Sequence, residues 1–310
     1  MTPPPELILH HYDFSNFAEK VRLALGFKGL AWRGVTIPAV APKPELTALT
    51  GGYRRTPVLQ TGADIWCDTR LILRELERRH PAPALLPAAL LTQIDALVYW
   101  AENRLMRPIT LYASGMNGDV LPANLQADRS AMRGLPPPDE ATMRRAALRN
   151  APLVRAQIPA VEAMLADGRP WILGNAPTVA DLAVYHPLWF LTARTQRLAF
   201  ELEPFGRIAA WMARVRDFGH GDVEPMAAEQ AIAIARAARP LPMPPSALHP
   251  EDPPLGSTVR IRADDNGQEV VSGELVFAGP DELALRREDP RAGTVVVHFP
   301  RLGYDLRPAR

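Results

Sequence analysis

The sequence predicts an α/β layer over residues 1–87, an all-helical domain over 88–239, a proline-rich linker over 240–254 and a small antiparallel β domain over 255–310. Three observations lead there. Short apolar runs alternate with amphipathic stretches in the first segment. The helical period then dominates from Leu90 to Ala238. Beyond the seven prolines between Pro240 and Pro254, which make a stiff, non-helical connection, the period switches to two.

Leu7-Ile8-Leu9, ending in the polar run His10-His11-Tyr12-Asp13, reads as a buried strand. Phe14, Phe17, Ala18, Val21, Ala24 and Leu25 are spaced as one face of a helix, stopped at Lys28-Gly29. Trp32 to Ile37 is a second strand, followed by a loop. Pro57 to Gln60 and Ala63 to Cys67 flank the turn Thr61-Gly62 as a hairpin, and Thr69 to Arg79 forms a helix on Leu71, Ile72 and Leu76. Prolines 81, 83 and 87 mark a connection.

Leu90 to Arg107 is one helix, Gly134 to Pro138 a loop, and Met143 to Leu165 a helix bounded or kinked at Pro152 and Pro159. Val179 to Leu191 is apolar nearly all round and should be a buried central helix. Thr178 and Asp181 stand at its start with capping-box spacing. Ile208 to Val215 and Ala227 to Ala238 are further helices. In the tail, Val259 and Ile261 alternate with arginines, Asn266-Gly267 is a hairpin turn, and Val270–Phe277, Leu283–Arg286 and Thr294–Phe299 are strands. A meander this small is marginal alone, so it should pack on the helical domain or on a partner.

Of 310 residues, 47% are hydrophobic and 22% charged, and the net charge of +1 provides no bulk field for nucleic acid or anionic lipid. The single cysteine, Cys67, excludes an internal disulfide and any cysteine-built metal site, and the seven histidines show no metal-ligand spacing. The first residues lack the basic and apolar parts of a signal peptide, and no apolar run reaches membrane-spanning length. A cytoplasmic protein is the expectation, with no metal, no nucleic acid and no membrane partner.

Ser15 opens the first helix. It reads as an N-cap. The same geometry serves chemistry, because a helix N-terminus favours an anion and the hydroxyl can donate to a thiolate. Thr56-Pro57 stands at a strand entry. Were that bond cis, the Thr56 backbone would turn outward toward a peptide-like ligand. Asp68-Thr69 lies at a strand-to-helix junction. It reads as a cap, or as a receptor for an amino-acid end in which the carboxylate takes the ammonium. Lys43 and Arg55 are surface charges or partners for a ligand carboxylate. Cys67 is a small buried hydrophobe. Trp100, Arg104 and Arg107 share a helix face suited to domain packing or, less so, to substrate contact.

The order of these signals resembles the cytosolic glutathione transferases: a thioredoxin-like domain over 7–87 followed by the all-helical domain of that family over 90–238. Ser15-Asn16-Phe17-Ala18-Glu19-Lys20-Val21-Arg22 looks like the active-site helix of the omega and zeta classes. Lys43-Pro44-Glu45 falls at the right distance before Thr56-Pro57-Val58-Leu59, and Cys67-Asp68-Thr69 matches the acidic–hydroxyl pair. The resemblance implies that Ser15 stabilises the glutathione thiolate and Phe17 flanks the sulfur. Lys43 would meet the glycyl carboxylate, Thr56 would pair through its backbone with the cysteinyl part, and Asp68 and Thr69 would hold the γ-glutamyl end. It also implies a homodimer and a detoxification-type role.

Asn16 replaces the usual proline, Thr56 a common valine, and serine stands where the omega pattern has cysteine. Serine forms no mixed disulfide, which disfavours thiol reduction through that position. The resulting expectation is an enzyme in which the glutathione thiolate attacks a small, largely apolar electrophile. The alternatives are isomerase, lyase or dehalogenase chemistry by the same thiolate, or a non-catalytic scaffold using the β domain for partner contact.

Overall fold

The computed structural model describes residues 6–265, 267 and 269–309. The reading of the first five residues and the Asn266 half of the Asn266-Gly267 turn lie outside the described residues.

Strands β1 (Ile8–His11), β2 (Ala31–Thr36), β3 (Val58–Thr61) and β4 (Asp64–Cys67) form the expected layer, with helices α1 (Asn16–Phe27) and α3 (Thr69–Arg79). β1 pairs parallel with β2 and antiparallel with β3, and β3 pairs antiparallel with β4, a thioredoxin-like arrangement. The segment expected as a loop contains helix α2 (Pro44–Thr50). Pro44 sits at its first position, where proline's missing N–H costs nothing and its fixed φ suits the helix.

The helical domain follows with α4 (Leu91–Trp100), a π-helical turn (Ala101–Leu105) and α5 (Met106–Met116) in one continuous run. Next come α6 (Ala123–Ala131), α7 (Glu140–Met164), α8 (Val179–Thr192) and α9 (Gly206–Arg216). α7 continues through both Pro152 and Pro159, because Ala147, Ala151, Val154, Ile158 and Val161 form one buried stripe that holds the two halves to the same core. α8 is buried along most of its length, as expected. The Asp181 carboxylate accepts from the N–H groups of Thr178 (2.8 Å) and Ile172 (2.9 Å) and from the Trp211 indole (3.0 Å), and the Thr178 hydroxyl lies 3.2 Å away. This reciprocal start pins α8 to α9.

Two departures concern the second half. After α9 the chain returns to the first layer: β5 (Asp222–Pro225) pairs parallel with β2, and α10 (Ala228–Ala237) covers the same sheet rather than the helical domain. The tail, expected to dock on the helical domain or a partner, instead continues the sheet. Its strands β6 (Thr258–Ala263), β7 (Val270–Ala278), β8 (Glu282–Asp289), β9 (Gly293–Pro300) and β10 (Tyr304–Pro308) form an antiparallel meander, and β9 pairs parallel with β4 through Asp64↔Val296, Ile65↔Val297 and Trp66↔His298. The full order is β10-β6-β7-β8-β9-β4-β3-β1-β2-β5.

The physical reason is edge protection. β4 ends the four-stranded layer with unpaired backbone groups, and a meander with one apolar face needs somewhere to bury it. One apolar cluster accordingly runs from Ile8, Val35, Leu49 and Val58 through Ala231 and Ile232 of α10 to Ile261, Leu275, Leu285, Val297 and Phe299. A second cluster joins α1 and α3 to the helical domain.

Candidate functional site

The topology collects the predicted residues at one end of the sheet. β1 and β4 both run antiparallel to β3, so the residues leaving β1 and β4 and those entering β3 share an end: His10 faces Val58, and Val58 faces Cys67. Ser15 follows β1, Thr56-Pro57 precedes β3, and Asp68-Thr69 follows β4. β9 runs parallel to β4, so the turn after Pro300 brings Tyr304 to that same end, together with Asp265, which follows β6.

Ser15 is the N-cap of α1. Its Oγ accepts from the Ala18 N–H at 3.2 Å, and the residue is only 4% exposed beside the more open Asn16 and Phe17. Asn16, in place of the usual proline, opens the helix and turns its amide toward α8, 3.2 Å from Nδ1 of His186 and 3.1 Å from the Met106 sulfur. The Phe17 ring packs on His186 with centroids 4.9 Å apart. Burial lowers the His186 pKa to about 4, so the imidazole is neutral at pH 7. Beneath them, the fully buried Lys20 pairs with Glu102 from the π-helical turn. Burial would raise the Glu102 pKa, yet Lys20 and His186 bring it down to about 2.

Lys43 is buried, and its Nζ donates to the Arg54 carbonyl (3.0 Å) and the Thr56 hydroxyl (3.3 Å) while lying 5.6 Å from the centre of the Tyr12 ring. Burial first, then Arg129 and Arg54, lower its pKa to about 8. Thr56-Pro57 is cis. Asp68 is the N-cap of α3 at φ +72°, the only non-glycine with positive φ among the described residues. Its carboxylate accepts from the Arg70 N–H (2.9 Å) and the Tyr304 hydroxyl (3.2 Å), and burial raises its pKa. Thr69 is buried at the first turn of α3. Cys67 is buried, its thiol pKa raised by burial.

Arg55 is committed elsewhere. Its two terminal nitrogens meet both oxygens of Asp265 at 2.8 and 2.5 Å, so the guanidinium clamps the β6–β7 connection. Such a fork-to-fork pair occupies the edge that a ligand carboxylate would need.

Sequence reasoning missed several participants. Tyr304 and Asp265 come from a segment more than 200 residues away in the chain, and no local pattern announces them. Tyr12 and Phe14, whose rings sit 4.5 Å apart, carry three cations around them: Lys43, Arg129 (Nη2 to the Tyr12 hydroxyl, 2.9 Å) and Arg194 (Cζ 3.5 Å from the Phe14 ring centre). Asp128 balances Arg129 and Arg54. Arg194 has buried Nε and Nη2 atoms without a hydrogen-bond partner among the described residues. The Trp100 face proves to be domain packing for the tryptophan, with Arg104 and Arg107 exposed. Among the described residues no group of three or more His, Cys, Asp or Glu side chains is placed to hold a metal, and no helix is long and apolar enough to cross a membrane.

Comparison with known proteins accords with this geometry. The family model for the glutathione S-transferase N-terminal domain matches residues 9–84, and that for the C-terminal domain matches 145–214. The crystal structure of a GST-like protein from Pseudomonas syringae is 40% identical and superposes with a TM-score of 0.80, covering 98% of this chain and 100% of that one. FtsZ-localized protein A of Caulobacter vibrioides is 26% identical over 183 residues, 57% of this chain and 74% of its own. A glutathione S-transferase from Methylobacterium radiotolerans, in complex with glutathione sulfonate, shares the fold at 20% identity and a TM-score of 0.54, over 71% of this chain and 97% of that one. Matched by both domain models and by a relative aligned along nearly its whole length, the chain belongs to the glutathione S-transferase family.

Proposed function

We propose that the protein binds glutathione at the shared sheet end and activates its thiol for attack on an electrophilic carbon. One observation carries the reading: Ser15, Thr56 and the Asp68-Thr69 pair meet at one end of the sheet through the β1–β3–β4 register. In this reading the γ-glutamyl ammonium faces Asp68, and its carboxylate faces Thr69 and the start of α3. Lys43 receives the glycyl carboxylate, and the cysteinyl backbone pairs with Thr56. The sulfur lies at the N-terminus of α1. There the Ser15 hydroxyl, which already accepts from the Ala18 N–H, keeps its own proton and donates a hydrogen bond to the thiolate. Phe17 flanks the sulfur. The C–S bond forms as the electrophile's leaving group departs, and the thiol proton is lost to solvent on binding. A homodimer working in the cytoplasm belongs to the same proposal, with the assembly checkable by light scattering.

Titration with glutathione, run beside a conjugation assay on the parent and Ser15→Ala, tests it. Binding with turnover that falls in the variant supports the reading, and absence of binding refutes it. A second reading has its own motive: one matched relative is named for localising with FtsZ, and Arg55 is committed to Asp265. In it the chain is a scaffold whose β strands contact a protein partner. Glutathione bound without turnover of any electrophile in a broad panel would favour it.

A further inference from the structure

The carboxyl-terminal strands do more than cover an edge. Asp68 has two described donors, the Arg70 N–H at 2.9 Å on one oxygen and the Tyr304 hydroxyl at 3.2 Å on the other. An ionised carboxylate accepts about four hydrogen bonds, so this pair leaves room for a ligand's ammonium while fixing the plane of the group. Tyr304 is itself held: its ring packs on Phe299 at 5.5 Å, Phe299 packs on Tyr53 at 6.0 Å, and the Tyr304 and Tyr53 hydroxyls are 3.5 Å apart. The Arg55–Asp265 clamp fastens the neighbouring β6–β7 connection to the residue before Thr56. Asp68, Tyr304 and Arg55 each keep part of their surface exposed.

Resting on the glutathione reading, we propose that Tyr304 is a positioning residue for the γ-glutamyl end, and that the appended β strands thereby form one wall of the tripeptide site. Tyr304 orients Asp68 toward the ammonium, and Asp265, through Arg55, holds the wall in place. The site of this chain is then incomplete without its last strand, β10. Ligand selection at the γ-glutamyl end is set partly by a residue outside the two family domains.

The test measures binding to the full-length protein of glutathione and of the dipeptide Cys-Gly, which lacks the γ-glutamyl group. The parent, Tyr304→Phe, Asp68→Asn and the double variant are compared, with melting temperatures recorded for each. The parent should prefer glutathione. Tyr304→Phe should weaken glutathione about five- to tenfold, in the range of one typical net hydrogen bond, and leave Cys-Gly within about twofold. The double variant should bind glutathione no more weakly than Asp68→Asn alone, because both changes act on one contact. Equal weakening of both ligands, additive losses, or a Tyr304→Phe protein that binds as the parent does would overturn the proposal and leave the glutathione reading standing. A parent that binds no glutathione would overturn both.

Discussion

Nε2 of His298 on β9 lies 3.1 Å from the Asp64 carboxylate on β4, and its Nδ1 lies 2.6 Å from Glu282. The ring stacks on Trp66 with centroids 4.7 Å apart, and Arg79 covers the Trp66 ring at 5.2 Å. The other oxygen of Asp64 accepts the Leu241 N–H, so linker, meander and first layer meet at one imidazole.

Burial alone would lower the His298 pKa, but the two carboxylates outweigh it and the net shift is upward. The folded state thus binds this proton more tightly than the unfolded chain, whose histidine titrates near 6.5. The stabilisation is fully present below about pH 6.5 and is lost as pH rises through the raised folded value. Thermal melts across pH 5 to 9 should show the midpoint falling on the alkaline side. His298→Gln should flatten that slope, and an unchanged slope in the variant would refute the assignment.

Because the two β segments share one apolar cluster, they should unfold together. Leu285 is fully buried opposite Val297. Leu285→Ala should cost about 2–5 kcal/mol through lost transfer energy and the cavity left behind. Tryptophan fluorescence, whose six reporters all lie outside the meander, should shift to lower denaturant by the same amount as circular dichroism. A variant in which only the meander melts early would show that the segments are independent.

Arg194 stands with its Cζ 3.5 Å from the centre of the Phe14 ring, just before Ser15, and in the proposed function it flanks the second substrate. An electrophile bearing a carboxylate should therefore gain from Arg194. With 4-chloro-3-nitrobenzoate, Arg194→Gln should lower kcat/KM about tenfold, in the range of one lost charge-assisted hydrogen bond, while the uncharged 4-chloro-3-nitrobenzamide changes little. Equal effects on both would remove Arg194 from substrate recognition.

Much of the first layer was legible because each of its signals is local. The β1 run, the α1 face, the 61–62 turn and the helix beginning at Thr69 are set by residues a few positions apart. Helix α2 was not, because its seven residues are too few to show a helical period, and the burial of Leu46 and Leu49 decides it. The place of the tail was equally hidden. Its strand period was plain, but which edge it would cover depends on β4 being left open, a property of the assembled sheet. Arg55 shows the same limit within the site. Its residue type invited a ligand carboxylate, and the fold supplied Asp265 from 210 residues away.

In the proposed function the α1 N-terminus and Ser15 keep a bound sulfur ionised. The most direct measurement is the pH titration of thiolate absorbance for glutathione bound to the parent and to Ser15→Ala. A free thiol of this kind ionises near pH 8.5, and one held at a helix N-terminus can fall below about 7.5. The bound thiol should titrate below about 7.5 in the parent and move back toward about 8.5 in Ser15→Ala. A bound thiol that titrates like the free one in the parent, or equally low in both proteins, would contradict it.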